Sequence, residues 1–543
     1  MAGFVEVRTA LGETQTWDEG IHIWSGYAYL TRGDFSWNTE HPPLVKMMCA
    51  LPLLSMGLTP PHRADHDQVD NAKDFLYSNR RHADDILFAA RSVNIVLTVL
   101  FIGAIAWWTR RRWGWIAGIW AAALCAFDPN LIAHGRYVTT DYPLTVFFFF
   151  ACVLWTEYLE SGGRERLLVA SLAIAIAMVV KFSAVLVLPP LALLYIVCWI
   201  RRPSEFPLRR AFTAAATVTV VLTVTAAIVY WPETVRCFRT NVAPLAKAVA
   251  PDNFIGSTMV WLGERLHLPA HTYLVGLARV AQHNTGGHHS YLLGMRSDTG
   301  FWHYFPVAFA VKSTLAAWAA LLLVIAGGAA MVARRGVRAI TPMALGLALP
   351  PLIYFVFSMT SAINLGQRHI LPIYPFLYVG AVAMVATLDG RLLLRRAAMA
   401  ALFLVTLVQA AECASIYPDY LAFFNAAVGG PDRGPEYLVD SNIDWGQDVK
   451  KLLHWLDQHG TRRARVHYFG SVRLPYYGIE EVGFPDPLDK RGWDEVDDYV
   501  VANVTNLMGV YTPLNSLAPV RGRKPIAKIG WSMYVYDLRK HHR

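Results

Sequence analysis

Charged residues are scarce in this chain of 543 residues. Only 16% of the residues are Asp, Glu, Lys or Arg, whereas 55% are hydrophobic. A soluble protein of this length would carry about a quarter charged residues. The deficit comes from long apolar runs, and a run of about 20 such residues spans a bilayer. The composition therefore excludes an ordinary soluble protein and predicts a polytopic α-helical membrane protein.

The chain also lacks a recognisable cysteine framework. Its six cysteines are scattered, mostly in or beside apolar runs, and none forms a CxxC pair or a Cys/His ligand spacing. Such cysteines behave as small core hydrophobes. The sequence thus indicates neither a disulfide scaffold nor a zinc site, and it contains no internal repeat or low-complexity tract.

A basic surface for nucleic acid is missing too, despite a net charge of +9. The arginines cluster in short loops between apolar runs, namely TRRRW at 109–113, RRPSEFPLRR at 201–210, ARRGVR at 333–338 and RLLLRR at 391–396. This is the positive-inside pattern of cytoplasmic loops. Because no basic face with interleaved aromatics appears elsewhere, nucleic acid is not an expected partner.

The apolar runs predict about ten membrane spans in an inner or plasma membrane. They lie near residues 86–108, 114–130, 141–159, 167–180, 184–200, 211–231, 311–333, 341–358, 370–388 and 397–415. With the arginine loops inside, residues 1–85, 232–310 and 416–543 are extracytoplasmic. We expect a first loop at 1–85 with an interfacial helix at 44–58, a transmembrane domain at 86–415, and a small α/β domain at 416–543. Within the last of these, DWGQDVKKLLHWLDQHG predicts a helix with Asp444 at its start and Gly460 at its C-cap.

The start of the chain conflicts with this topology. Residues 1–17 contain neither a signal peptide nor an apolar span that would carry Asp18 across the membrane. Either a transmembrane helix is missing before the first residue, which is the explanation we favour, or the N-terminal segment is translocated in an unusual way.

Three polar stretches near the predicted span ends carry ionisable residues. In TWDEGIHIWSGYAYL at 16–30, Thr16 and Glu19 form a capping box with Asp18 beside them, so helix capping explains both acids unless they serve chemistry. Glu40 and His41, in EHPP, either form a turn, or they bind a metal or orient a substrate. Arg136 and Asp141, in HGRYVTTDYPL, either form a local ion pair or line a functional pathway.

Two further stretches add histidines and cations. HNTGGHHSYLLG at 283–294 contains His289 in a cluster that is usually just solvated, although zinc is an alternative. Lys312, inside an apolar run, either snorkels to the surface or meets a phosphate. Arg368 and His369 precede a span with two early prolines, and a guanidinium there can hold a lipid phosphate bidentately. Lys181 faces the same side by the topology.

Taken together, these motifs resemble the GT-C superfamily of polytopic glycosyltransferases. Within it, the chain looks like the bacterial branch akin to protein O-mannosyltransferases and aminoarabinose transferases. The matching pieces run in order from residue 16 to about residue 460: WDEG, EHPPL, TTDYP, HHSYLLG…YFPVAFAVK, QRHILPIYP and YLAFFNAAVGGP…YLVDSNIDWGQDVKKL. The resemblance implies a polyprenyl-phosphate-linked sugar as donor, and an extracytoplasmic protein or envelope glycan as acceptor.

The resemblance also implies roles for individual residues. Asp18 would be the catalytic base, with Glu19 as its neighbour, in a single inverting displacement. Arg368 and Lys181 would stabilise the leaving lipid phosphate. The other expected substrate-binding residues are Glu40, His41, Arg136, Asp141, His289, Lys312 and His369. No metal ligand is assigned, and the need for a divalent metal stays open. Family members have a transmembrane helix before the paired acids, whereas this chain begins 17 residues before Asp18.

Two other functional classes fit part of the pattern. Ionisable residues near spans and short broken helices also occur in transporters and lipid flippases. However, the chain shows no inverted repeats, and its acids gather on one side instead of at the midplane. A non-catalytic receptor with a C-terminal sensing domain would not need clustered acids and cations. The sequence therefore favours a membrane glycosyltransferase.

Overall fold

The computed structural model describes residues 1–61, 67–236, 257–258, 261, 270–388 and 392–540. Helices dominate the chain up to residue 415. The helices of the first half are α1 (Ala2–Gly12), α2 (Trp17–Arg32), α3 (Leu44–Ala50), α4 (Gln68–Tyr77), α5 (Ala83–Trp113), α6 (Trp115–Ala126), α7 (Pro129–Gly135), α8 (Asp141–Ser161), α9 (Arg164–Val180), α10 (Leu188–Arg201) and α11 (Leu208–Val229).

The second half begins with helices and ends in a mixed α/β segment. Up to residue 415, its described helices are α12 (Trp231–Arg236), α13 (His271–Gly286), α14 (Tyr304–Lys312), α15 (Leu315–Arg335), α16 (Pro342–Ser358), α17 (Ile373–Ala386) and α18 (Leu392–Ser415). The mixed α/β segment contains α19 (Gly434–Tyr437), α20 (Val449–Gln458), α21 (Lys490–Asp494), α22 (Val504–Leu507) and α23 (Ala518–Arg521).

Within the described residues, six helical segments are long and apolar enough to cross a membrane. A seventh span results if α6 and α7, which meet at a bend of 68°, count as one. Helices occupy all ten predicted positions, but the predicted count of ten spans is not confirmed. Helix α9 has 17 residues, α16 has 17 and α17 has 14. These are shorter than the roughly 20 residues that a bilayer requires.

Helix α1 packs beside the first long span. The carbonyl of Ala10 accepts a hydrogen bond from Arg91 of α5 at 2.9 Å, and Gly3 lies against Val99, two turns further along α5. The two helices therefore run in opposite directions. The predicted interfacial segment 44–58 forms α3 and a 3₁₀ turn at Leu51–Met56, and α3 packs against α2.

A mixed five-stranded sheet forms in the C-terminal part of the chain. Its strands are β3 (Arg463–His467), β4 (Glu480–Glu481), β5 (Tyr499–Asn503), β6 (Ala527–Ile529) and β7 (Met533–Asp537), in the order β4-β3-β5-β7-β6. Strand β3 is parallel to β4 and β5, whereas β7 is antiparallel to β5 and β6. A separate hairpin pairs β1 (Ser290–Leu292) with β2 (Met295–Ser297).

One local prediction about the C-terminal part is wrong. The acidic residue Asp444 reads as the start of the helix that contains Leu452 and Leu456, but α20 begins only at Val449. The reason is that the Asp444 carboxylate accepts hydrogen bonds from Asn503 at 2.6 Å and from the Thr505 amide at 3.1 Å. The side chain therefore binds the sheet end instead of capping a helix.

The segment 440–447 connects the sheet to the helices. The Trp445 carbonyl accepts a hydrogen bond from the Trp17 amide at 3.0 Å, and the Gln447 carbonyl accepts one from the Thr14 amide at 2.9 Å. From the other side, the Lys312 ammonium donates to the Asn442 carbonyl at 2.5 Å. These contacts hold the first turn of α2 against the C-terminal part of the chain.

Candidate active site

Asp18 lies in the first turn of α2, next to the segment just described. The capping box between Thr16 and Glu19 is present, as the sequence predicts, and it fixes the start of the helix. The Asp18 side chain keeps 25% of its surface exposed. Its Oδ2 accepts a hydrogen bond from Arg368 at 2.7 Å, and within the described part of the chain its Oδ1 has no hydrogen-bond partner. Asp18 thus presents one free carboxylate oxygen.

Arg368 is the centre of the cluster around Asp18. It lies in a 3₁₀ turn at Gln367–Ile370, and its side chain is 8% exposed. Besides Asp18, the guanidinium approaches Asp141 at 3.6 Å and stacks over the Trp445 ring at 4.2 Å. Among the residues that the structure describes, its buried Nε–H has no hydrogen-bond partner. Such an unpaired donor in a charged side chain is costly unless a ligand satisfies it.

Asp141 joins this arginine to a second cation. Asp141 is the first residue of α8, and its Oδ1 accepts from Lys181 Nζ at 2.5 Å. Lys181 follows the last residue of α9 and keeps 12% of its side chain exposed. Two carboxylates and two cations, namely Asp18, Asp141, Lys181 and Arg368, therefore form one connected network, which we call the Asp18 cluster.

Glu19 lies in a different environment from its neighbour. Its two oxygens accept hydrogen bonds from Arg91 at 2.8 and 2.7 Å, and neither side chain has any exposed surface. Glu19 also accepts from the Val138 amide at 3.0 Å. This buried pair fastens α2 to α5 and to the residues that precede α8. The geometry gives Glu19 a structural position, with no surface open to a substrate.

Three histidines surround the Asp18 cluster. His22, one helical turn after Asp18, donates a hydrogen bond from Nδ1 to the Val138 carbonyl at 2.8 Å, and its ring lies 5.4 Å from that of His41. Burial, followed by the charge of Lys46, lowers the pKa of His22 to about 4, so this ring is neutral at pH 7. Burial and the charges of Lys181 and Arg368 likewise hold the pKa of His369 well below its usual range.

The remaining candidates lie apart from the Asp18 cluster or have their own partners. Arg136 is fully buried and bound by Glu13 at 2.9 and 2.7 Å. Lys312 is 2% exposed and donates to the carbonyls of Leu421 and Asn442. Glu40 is exposed at the surface.

His289 is also exposed, and its Nδ1 lies 2.6 Å from Asp298. Across the described residues, no group of three or more His, Cys, Asp or Glu side chains is arranged to hold a metal ion.

Sequence reasoning missed two members of the site. Trp445 forms the aromatic surface under Arg368. It lies within the tail motif YLVDSNIDWGQDVKKL, but nothing in that motif indicates its contact with Arg368. His22 lies four residues after Asp18, and residues at this spacing share one face of a helix. That spacing is the signal by which His22 could have been found.

The fold and the cluster define a polytopic helical membrane protein with clustered carboxylates and cations at the end of its spans. Residues 83–231 match the family model described as dolichyl-phosphate-mannose-protein mannosyltransferase. Over this part of the chain, the match confirms the predicted resemblance to GT-C glycosyltransferases. No curated protein sequence matches the chain.

Two groups of solved structures are similar to the chain at low identity. ArnT from Cupriavidus metallidurans bound to undecaprenyl phosphate is 15% identical to this chain, with a TM-score of 0.45. The match covers 98% of this chain and 96% of the ArnT chain. The archaeal oligosaccharyltransferase AglB from Archaeoglobus fulgidus, in complex with an inhibitory peptide and a dolichol-phosphate, is 10% identical, with coverages of 96% and 71% and a TM-score of 0.47. At these TM-scores the structures are too distant for comparison residue by residue.

Proposed function

We propose that this protein is an inverting glycosyltransferase that uses a polyprenyl-phosphate-linked sugar. The observation that carries the proposal is the Asp18 cluster, in which a carboxylate with one free oxygen contacts a buried arginine that has an unused donor. A second cation, Lys181, lies close by, because Asp141 forms ion pairs with both Lys181 and Arg368. The family match at residues 83–231 supports the same class of reaction.

The proposed reaction is a single displacement at the anomeric carbon of the donor sugar. The acceptor hydroxyl forms a new bond to that carbon and gives its proton to Asp18 Oδ1, which acts as general base. The bond from the carbon to the phosphate oxygen breaks, and the lipid phosphate leaves with the electron pair. Attack from the face opposite the leaving group inverts the configuration, and no second carboxylate nucleophile is required.

The two cations of the Asp18 cluster would stabilise the leaving group. Arg368 can offer Nε–H to a phosphate oxygen without giving up its contact with Asp18, and Lys181 can approach the same group from the Asp141 side. Fixed donors directed at developing negative charge lower the barrier because they need little reorganisation. Asp141 then acts as the anion that holds both cations in place before the donor binds.

The acceptor lies on the same side of the membrane as Asp18, and the predicted topology makes that side extracytoplasmic. A serine or threonine of a protein and a hydroxyl of an envelope glycolipid or glycan are both chemically suitable. The sugar is a hexose or a pentose.

The test is release of polyprenyl phosphate by the purified full chain in the presence of a panel of polyprenyl-phosphate sugars. Loss of a general base typically costs about 10²–10⁴ in rate, and we expect a loss of this size for Asp18→Asn. Asp85→Asn is the matched control, because Asp85 also lies in the first turn of a helix and is exposed. Melting curves of both variants separate lost chemistry from lost folding. Equal turnover by Asp18→Asn and the wild type would contradict the assignment of the base.

A further inference from the structure

The opposite end of the helix bundle contains a cationic cleft. Helix α8 begins at Asp141 in the candidate active site and has 21 residues, so its far end lies about 30 Å away. There, a cleft of about 520 Å³ opens between the α8–α9 turn and the start of α11. Three of its lining residues are arginines, namely Arg164, Arg209 and Arg210.

None of these three arginines is neutralised by a carboxylate among the residues that the structure describes. Arg210 donates to the Tyr158 hydroxyl at 3.3 Å and to backbone carbonyls of Tyr158 and Glu205 at 3.2 and 2.9 Å. The Glu205 carboxylate itself pairs with Arg202. Arg164 and Arg209 are exposed. The cleft therefore concentrates positive charge and has room for an anion.

The backbone at the cleft is shaped to leave this space open. Gly162 and Gly163 have φ values of +66° and +95°, a conformation that residues with a side chain rarely adopt. A Cβ on Gly162 would point to the Arg210 guanidinium at 3.8 Å. The two glycines thus allow the tight turn between α8 and α9 that forms one wall of the cleft.

The surface next to the cleft is apolar and outward-facing. Phe212 and Leu208, in the first turns of α11, are 74% and 67% exposed, and Leu168 and Leu172 of α9 are exposed beside them. Only 6% of the apolar 18-residue stretch of α11 is buried inside the protein. A ligand that combines an anionic head with apolar chains matches both parts of this surface.

We propose that this cleft binds the phosphate head group of an anionic membrane phospholipid. Basic pockets between transmembrane helices on the cytoplasmic side are suited to such head groups, and the arginine-rich loop 201–210 is predicted to be cytoplasmic. The acyl chains lie along the exposed faces of α9 and α11. The site does not depend on the glycosyltransferase reaction, since it lies at the other end of the bundle.

The proposal is tested with the purified full chain in a neutral detergent by native mass spectrometry. Short-chain phosphatidylglycerol, short-chain phosphatidylcholine, inorganic phosphate and a short polyprenyl phosphate are titrated separately. We expect saturable binding of phosphatidylglycerol, weakened about tenfold or more in Arg164→Gln/Arg209→Gln, because each basic side chain contributes to the attraction of anionic lipid. Arg395→Gln/Arg396→Gln removes the same charge from the start of α18, where both arginines are exposed, and this variant should bind as the wild type does.

A second variant tests the cleft without changing its charge. Thr213 lines the cleft and is exposed, so Thr213→Trp should fill the space and also weaken phosphatidylglycerol binding. Equal weakening in the Arg395/Arg396 variant would overturn the proposal, as would binding of phosphatidylcholine with the same affinity. Inorganic phosphate that binds as tightly would overturn the lipid source, and so would polyprenyl phosphate that displaces phosphatidylglycerol and binds more weakly to the Arg164→Gln/Arg209→Gln variant.

Discussion

Successive residues of an α-helix point about 100° apart, and this angle separates Asp18 from Glu19. Glu19 turns inward and meets Arg91 with no exposed surface, whereas Asp18 turns toward Arg368 and retains an exposed edge. An acid that is fully paired and desolvated contributes to the fold, and breaking such a pair leaves an uncompensated charge. The packing therefore separates the two acids: Glu19 holds α2 in place, whereas Asp18 keeps an exposed edge, as its proposed role of general base requires.

Asp444 provides a pH-dependent test of the C-terminal sheet. Burial, partly offset by its bonds to Thr505 and Asn503, raises the pKa of Asp444 to about 8. Because the folded protein binds this proton more tightly than the unfolded chain does, Asp444 stabilises the fold most at low pH. This stabilisation is lost as the pH rises toward the pKa of the folded state. The free energy of unfolding should therefore fall by up to about 1.4 kcal/mol per pH unit between pH 4 and pH 8 from this group alone.

The measurement is the melting temperature of the wild type and of Asp444→Asn between pH 5 and pH 9. The neutral amide has nearly the same shape, so the variant should lose the fall in stability that the carboxyl causes. A variant that follows the wild type at every pH would show that another group is responsible.

Part of this residue-scale picture could be predicted from the sequence. The capping box of α2 involves residues three apart, so local spacing was sufficient to find it. The partners of Glu19 and Arg136 are 72 and 123 residues away along the chain, at Arg91 and Glu13. Which cation pairs with which acid depends on how the helices pack, and hydropathy does not contain that information.

At the scale of elements, the approach of α3 to α2 depends on a glycine. A Cβ at Gly26 would lie 2.0 Å from the carbonyl oxygen of Lys46 and 2.4 Å from its carbonyl carbon. Because these are backbone atoms of α3, the helix itself would have to move. Gly26→Ala should therefore destabilise the protein by about 3 kcal/mol, toward the upper end of the range for overpacked sites.

The matched control for this variant is Gly103→Ala. Gly103 is also in a helix, but nothing lies within 4 Å of its would-be Cβ. There, alanine should be neutral or stabilise α5 by up to about 1 kcal/mol. Thermal unfolding in the same detergent compares the two, and equal melting temperatures would contradict the close packing of α2 and α3.

The helices themselves were easier to predict than their ends. All ten apolar runs form helices, because an apolar run long enough to enter a membrane must satisfy its backbone hydrogen bonds internally. The 68° bend between α6 and α7 was not predicted. It follows from Asp128, whose carboxylate caps α7 by accepting from the Asn130 and Leu131 amides, with Pro129 as the first helical residue. The run 114–130 therefore turns before it can form one straight span.

At the scale of the whole molecule, three of the four arginine-rich segments lie together at one end. Arg112, at the end of α5, pairs with Glu160 near the end of α8 at 2.7 Å, and Glu160 accepts from the Met343 amide. Arg201 donates to the Ile340 carbonyl at 2.6 Å. The loops at 109–113, 201–210 and 333–343 thus meet at the end of the bundle opposite to Asp141. This agrees with one compartment for all three, as the positive-inside rule requires.

Because the arginine-rich segments lie at the end opposite to Asp141, the positive-inside rule predicts which end of the protein faces outward. Leu488 is 79% exposed in the C-terminal part, and Val337 is 61% exposed in an arginine loop. A membrane-impermeant maleimide should label Leu488→Cys in intact cells, and Val337→Cys only after permeabilisation. The wild-type chain is the control for background, and the five cysteines in the described residues are buried.

The labelling result bears on both proposed sites, because each depends on the compartment that it faces. If Val337→Cys reacted in intact cells and Leu488→Cys did not, Asp18 would face the cytoplasm, and an extracytoplasmic acceptor would be impossible. Labelling of both from outside would mean that no membrane separates the two ends of the bundle. With the expected pattern, the lipid-phosphate donor meets Asp18 outside, while the Arg164–Arg210 cleft meets the anionic lipids of the cytoplasmic leaflet.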